Sequence, residues 1–464
     1  MSGAPVLPDA SRAAPAISAR AEAPLTLTRH PARVLGFWPQ CAMWGSFGVT
    51  LFGPLTGALV TESVGSLPGG LLACAIGTLI AALLLGGAAA IGARLGTPSM
   101  VGLRGMLGHR ASIVPTVLNI AQNIGWATME IVVISSAAAA IAGPAWRWPF
   151  VVAAGAAATV MSVRPLGTVT FLRTVMLWLV IAGSVYLFVM VLRQPAHPIA
   201  QDEVAGLWPG VDLAAAQVVS FAPLAADYSR HSTSGRAAFG SASLGYGLAI
   251  FGYYCLGVVA VGHLGGDVGG THLLGALMAL PAGAIAVALL LTDEVDDAFA
   301  DIYSAAVSVH NIAPGIDRRT TAIIMGVVST ALAGVLDFDQ YESFLYLIGS
   351  AFVPLFAVAV VDFFWVTGAR GAPAAAATCR GPPPRAWPRG FVAHQLTPPG
   401  SVPGWSALWA AIRRAAGVHT PGWVGSTLGS MVVAGASAWL LGQLANRLTH
   451  PGHRLGASAR AHRD

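Results

Sequence analysis

Five of the chain's carboxylates fall within nine positions, in "LLLTDEVDDAFADIYS" (289–304): Asp293, Glu294, Asp296, Asp297 and Asp301. Acids so gathered hold a cation through oxygen ligands, share protons, or repel one another in water. A second stretch, "LNIAQNIGWATMEIVVISS", sets Asn119, Asn123, Trp126 and Glu130 at i, i+4, i+7 and i+11, one face of a helix, with Gln122 beside them. A Trp offers a flat stacking surface, and a carboxylate one turn away accepts hydrogen bonds from N–H groups. Together they suit a planar, nitrogen-rich heterocycle. Taken singly, Asn and Gln also join packed helices, and a Trp also fills a core.

The elements that position these residues are membrane spans. Charged residues make up 10% of the 464 and hydrophobic ones 55%, with mean hydropathy +0.68. The apolar runs are continuous and not alternating, which predicts helical spans and no barrel. Twelve are expected, near 36–60, 68–93, 111–142, 148–163, 167–192, 211–228, 238–262, 283–310, 320–336, 341–366, 404–417 and 423–446. The first 35 residues read as a retained tail and not a signal peptide. Cys41, Cys74, Cys255 and Cys379 have no paired spacing, so neither disulfide nor metal site is expected from them.

The basic residues are all arginine, and placement matters more than the net charge of +5, which on a soluble chain would hint at nucleic acid. With the N-terminus inside, the cytoplasmic segments collect nearly all of them. The outer ones hold Arg147, Arg193, Arg413 and Arg414. Both termini are then cytoplasmic.

Two readings of the acids compete. In one, a span ends at Leu291 and the acids lie in a cytoplasmic loop. In the other, a helix runs on, because no Gly or Pro occurs between Gly283 and Pro314. Val295, Phe299, Ile302, Ala306 and Val309 then line one face, and Asp293, Asp296, Asp297, Asp301, Ser304 and Ser308 the opposite one. A mid-membrane charge costs about 2.5–3.5 kcal/mol, so these acids must face a polar interior. Gly45, Gly48 and Gly53-Pro54 interrupt the first span and Pro223 the sixth, the pattern of an inverted-repeat transporter.

"GWATME", "SFAPLAADYSRH" and "DEVDDAFADIYSAAVSVHN", with the loop "GARLGTPSMVGLRGMLGHR", together resemble the nucleobase-cation symporter family, the purine/cytosine permease group, over residues 36–366. The resemblance implies an all-α, LeuT-type fold of two inverted five-helix repeats, 36–192 and 211–366. A cytoplasmic Pro/Ala/Arg linker (367–403), two peripheral helices (404–446) and a cytoplasmic tail (447–464) would follow. It implies a base held among helices 1, 3, 6 and 8, with Trp126 stacking and Glu130 hydrogen bonding. Asn123, Gln122, Val219, Ser220, Phe221, Phe47 and Asp293 complete that expected set. A cation would lie between helices 1 and 8, at Gly45, Ser46, Gly48, Asp296 and Asp297. Relatives carry Asn, Ser or Thr where this chain has acids, which leaves the coupling ion open between sodium and proton. No cofactor and no nucleic acid are expected, only a small heterocycle and the bilayer of the cytoplasmic membrane, with the chain working as a monomer. Two alternatives stand beside a nucleobase cargo: hydroxymethylpyrimidine, and a membrane prenyltransferase using the aspartates of helix 8, which would need a second aspartate cluster on another helix, whereas the pair Asp337 and Asp339 falls in an expected outer loop.

Overall fold

The computed structural model describes residues 31–163, 170–197, 206–265, 271–336, 341–367, 383–397, 402–421 and 423–449. Cys379, Asp337, Asp339 and most of the two tails lie outside them. Among the described residues every regular element is helical; the exception is a single bridge, Leu35 to Ser232, by which the segment before the first helix is strapped to the residues after the sixth. Cys41, Cys74 and Cys255 are free thiols.

The first span is broken, as its glycines and proline predict. Helix α1 (Phe37–Phe47) stops at Gly48, and α2 (Phe52–Val64) resumes at a bend of 64°. Pro54 has no N–H to give the carbonyl of Thr50, and its ring would strike that carbonyl, so no continuous helix can pass. Gly48 is needed there because a Cβ would stand 2.8 Å from both Ala249 Cβ and the Tyr246 carbonyl.

The chain continues through α3 (Leu67–Leu95), α4 (Ile113–Ala142), α5 (Arg147–Val163) and α6 (Thr170–Leu192). The sixth span is interrupted more gently: α7 (Leu207–Val219) ends before Pro223, and a turn of 3-10 helix (Ala222–Leu224) and a short α8 (Ala225–Ser229) carry it on without the sharp bend of the first. Then come α9 (Gly235–Leu264), α10 (Gly283–Val309), α11 (Arg318–Ala333) and α12 (Tyr341–Val361).

Among the described residues six helices have the length and apolarity to cross a bilayer, seven with the bent pair α1–α2. Helix α10 has the length at 27 residues but carries the five acids. The helices approach closely through small residues: a Cβ on Gly257 would lie 1.8 Å from the Pro54 carbonyl, and one on Gly57 2.1 Å from that of Tyr254, which locks α2 against α9. Exposed Leu79, Trp178, Leu248, Ile285 and Val432 give the periphery an apolar surface suited to lipid.

Two expectations fail near the C-terminus. Residues 367–403 are not a plain linker, because they contain helix α13 (Pro383–Leu396), wedged between α12 and α15 (Ser426–Thr449). Its sequence "PPRAWPRGFVAHQL" is too polar to register as apolar. What it buries is a narrow ridge of Ala386, Gly390, His394 and Gln395, where a Cβ on Gly390 would meet Pro354 and Ala434. The helix expected at 404–417 exists as α14 (Trp405–Ala415), but at 11 residues it is too short to cross and buries none of them. Leu408 and Ile412 stay exposed beside Arg413 and Arg414.

Candidate functional site

The aspartate-rich stretch lies inside α10, not in a loop. The helix runs unbroken from Gly283 to Val309, and Asp293, Glu294, Asp296, Asp297 and Asp301 are all buried. It packs along α4, where Asn119 Nδ2 donates to Ser308 Oγ (2.8 Å) and Asn311 Nδ2 to Thr116 Oγ1 (2.7 Å). Ser304 and the backbone N–H of Ser99 both donate to Asp227 on α8, and Tyr228 Oη donates to the Ala300 carbonyl (3.1 Å). These polar ties replace the hydrophobic drive that is absent between helices in lipid.

Glu294, which sequence reasoning counted among the acids but did not single out, stands at the centre. The Leu51 N–H donates to it, and Thr50 Oγ1 donates to its Oε2 at 3.3 Å. Both donors belong to the break before α2, so the carboxylate sits on the positive end of that half-helix, where unpaired N–H groups point at it. Glu130 on α4 brings a carboxylate oxygen within 4.8 Å of one of its own. Glu130, Glu294 and Asp297 each bring a carboxylate oxygen within 4.8 Å of the others, and all three are buried. Like charges so close need a positive partner, an ion or a proton. The signal for Glu294 was present in the sequence: 294, 297 and 301 are i, i+3 and i+7 of one stripe.

The expected cargo and cation sets are therefore interleaved. Asp293, assigned to cargo, accepts from Ser46 Oγ (3.4 Å) at the break of the first helix, among the residues assigned to a cation. Asp297, assigned to the cation, joins Glu130, assigned to cargo. Asp296 is buried on the same helix, and Gly45 and Gly48 face the Ala242–Tyr246 turn of α9.

The aromatic residues form two groups. Trp126, buried, meets the edges of Phe52, Tyr341 and Phe344, with ring centroids 5.5, 6.0 and 5.4 Å away. Phe47 and Phe221 lie 6.2 Å apart across the two helix breaks, and Phe221 meets Tyr246 at 4.9 Å. Gln122 Nε2 donates to the Ser220 carbonyl (3.4 Å), and Val219 is buried at the end of α7. Tyr246 bridges the groups, since it also lies within electrostatic reach of Asp297 and Glu130. Phe52, Tyr341 and Tyr246 are additions no sequence motif marked.

Several buried polar atoms here have no hydrogen-bond partner: both amide atoms of Asn123, Trp126 Nε1, Glu130 Oε2, Gln122 Oε1 and Tyr246 Oη. Groups of this kind are costly in a finished core and are the ordinary lining of a binding site.

Comparison with known proteins agrees with this geometry. Among solved structures, the chain is similar to Mhp1, a nucleobase-cation-symport-1 family transporter, in a closed conformation with bromovinylhydantoin bound: TM-score 0.68 at 15% identity, covering 92% of this chain and 95% of that one. The inward-facing conformation of Mhp1 matches with TM-score 0.59 at 15% identity, over 91% and 93%. A Na⁺-coupled sialic acid symporter in a substrate-bound outward-open state matches with TM-score 0.53 at 12% identity, over 89% and 96%. These likenesses establish the LeuT-type fold. No curated protein sequence matches the chain. The family model for permeases of cytosine/purines, uracil, thiamine and allantoin matches residues 33–382, three quarters of the chain. The protein thus belongs to the cytosine/purine permease family, and it is a membrane transporter, not an enzyme.

Proposed function

We propose that the protein imports a nucleobase or related planar N-heterocycle by cation symport, with alternating access, across the cytoplasmic membrane. The observation that carries this is the buried face of α4, where Trp126, Asn123 and Glu130 bring ring, amide and carboxylate to the two helix breaks, with polar atoms left unpartnered. Trp126 is the stacking platform and Glu130 the acceptor, with Gln122, Val219, Ser220, Phe221 and Phe47 completing the cavity from the two breaks. The cation, sodium or a proton, lies between the first helix and α10, held by Asp296 and Asp297 with the chain around Gly45, Ser46 and Gly48. Asp293 ties this region to the cargo. Hydroxymethylpyrimidine is the second reading, supported by the "PLAADYSR" form of helix 6 and by the presence of thiamine among the family's cargos.

The chain works as a monomer with both termini in the cytoplasm. Residues 36–192 and 211–366 are the two inverted repeats of the transport core, and the helices after 367 stay peripheral to them.

Uptake into proteoliposomes tests this. With a panel of nucleobases, hydantoins and pyrimidines, and imposed sodium and proton gradients in turn, at least one heterocycle should accumulate and one gradient should drive it. Stacking on an aromatic is worth about 1–3 kcal/mol per base, so Trp126→Ala should weaken affinity about 5- to 150-fold, with partial retention in Trp126→Phe. Wild-type affinity in the Ala variant overturns the assignment.

A further inference from the structure

We propose that α14 lies flat in the membrane interface and binds an anionic phospholipid there, with its arginines on the headgroup and its apolar face on the acyl chains.

The 11 residues of α14, "WSALWAAIRRA", bury none of their number, yet Trp405, Leu408, Trp409 and Ile412 recur at i, i+3, i+4 and i+7, one face of the helix. One edge of that face is anchored to α13. Trp405 Nε1 donates to Gln395 Oε1 (3.0 Å), and the Phe391 ring meets Trp405 and Trp409 with centroids 6.4 and 6.1 Å away. The other edge is not covered: Leu408 and Ile412 are 52% and 39% exposed. A helix too short to span, and apolar along one side, fits the plane of the interface.

Its neighbours place that plane. α14 hangs between the end of α13 and the start of α15, and the start of α15 is capped by Asp212, near the start of α7. Trp208 in the first turn of α7 and Trp423 just before α15 both stand exposed at this end of the molecule. Exposed tryptophans at helix ends form the belt by which a membrane protein meets the headgroup region. Leu408 and Ile412 thus extend an apolar periphery already suited to lipid.

Charge selects the lipid. Arg413 and Arg414 close the helix, and from Thr367 to Arg463 the sequence holds no Asp or Glu to neutralise them. Arg413 follows Trp409 by one turn and so flanks the apolar face, and Trp409 Nε1 has no hydrogen-bond partner among the described residues. A guanidinium fork matches phosphate oxygens bidentately, and a lipid of net negative charge leaves that attraction uncancelled where a choline headgroup would offset it.

The test is lipid retention by the purified full-length protein in neutral detergent. Native mass spectrometry reads bound phosphatidylglycerol against phosphatidylcholine, and Tm is followed as each lipid is titrated in. The wild type should prefer phosphatidylglycerol and gain Tm from it. An arginine near an anionic surface is worth about fivefold, so Arg413→Gln should cut the preference by about that factor and the double variant with Arg414→Gln by up to about 25-fold. Tm without lipid should stay at the wild-type value in both, and Arg413→Lys should keep most of the preference. Leu408→Ser with Ile412→Ser should weaken both lipids alike. Equal retention of the two lipids by the wild type overturns the proposal, as does a preference that survives loss of both arginines. Displacement of phosphatidylglycerol by millimolar inorganic phosphate would show a site for a free anion and overturn it too. A wild-type dimer that Leu408→Ser with Ile412→Ser separates, with phosphatidylglycerol without effect, would give the face to a second copy of the chain instead.

Discussion

Asp212 on α7 joins the transport core to the last helix, and removing its charge should loosen that joint measurably. Its carboxylate, 2% exposed, accepts from Thr427 N–H (3.0 Å), Leu428 N–H (2.7 Å) and Ser426 Oγ (3.2 Å) at the start of α15. It serves as the N-cap that α15 would otherwise take from its own chain. In Asp212→Asn one oxygen becomes an NH₂ group. Whichever way the amide turns, one of the two backbone N–H donors faces another donor, while Ser426 can reverse. Orphaning a buried N–H costs about 1–3 kcal/mol, and the lost attraction between charge and helix end up to about 1 more. The sum, about 1–4 kcal/mol, corresponds to a fall in Tm on the order of 1–4 °C for a chain of this size. Asp212→Ala strands both N–H groups and should fall further. Gly425→Ala should match Asp212→Asn without touching the charge, because a Cβ there would stand 2.3 Å from the Asp212 carboxyl. Thermal unfolding followed by a thiol-reactive dye reads the effect, since Cys74 is fully buried until the core opens. A Tm for Asp212→Asn within about 1 °C of wild type would refute the capping argument.

Two further tests address other joints. Gly257→Ala places a Cβ 1.8 Å from the Pro54 backbone carbonyl, a clash that no rotamer relieves, so it should reduce folded yield far more than Gly252→Ala, where nothing lies within 4 Å; equal yields by size-exclusion profile would contradict the helix crossing. His231, outside the spans, accepts the strap through its carbonyl, which receives the Val34 and Leu35 N–H groups. Burial, and then the neighbouring Arg230, hold its imidazole down to about 4, against the contrary pull of the Ala32 carbonyl. The freed histidine binds protons near 6.5, so the strap is fully stable above that pH and loses stability as pH falls toward 4. The protection of Val34 and Leu35, their exchange rate taken relative to the intrinsic amide rate at the same pH, should fall by up to about tenfold per pH unit in that window, and constant protection in the wild type, or an unchanged profile in His231→Gln, would count against it.

Composition settled that the chain lies in a membrane, and the continuous, non-alternating apolar runs that it is helical, because such a run satisfies its backbone there within itself, whereas a barrel strand would alternate. The breaks at 48–51 and near Pro223 were legible for an equally local reason: proline forbids the i−4 bond wherever it stands. So was the continuity of α10 through its acids, from the want of any Gly or Pro after Gly283. Helix α13 was not legible, because its buried ridge of Ala386, Gly390, His394 and Gln395 is narrow, and hydropathy averages it with three prolines and two arginines. The grouping of the site was decided only by the tertiary structure. Spacing places Glu294, Asp297 and Asp301 on one stripe of α10, but not the angle at which that stripe meets α4 or the broken first helix. The angle follows from packing at Asn119–Ser308 and from the half-helix end at Leu51, contacts between residues about 190 and 240 positions apart. They bring Glu130 onto Glu294 and so join what one-dimensional reading had kept as separate cargo and cation sets.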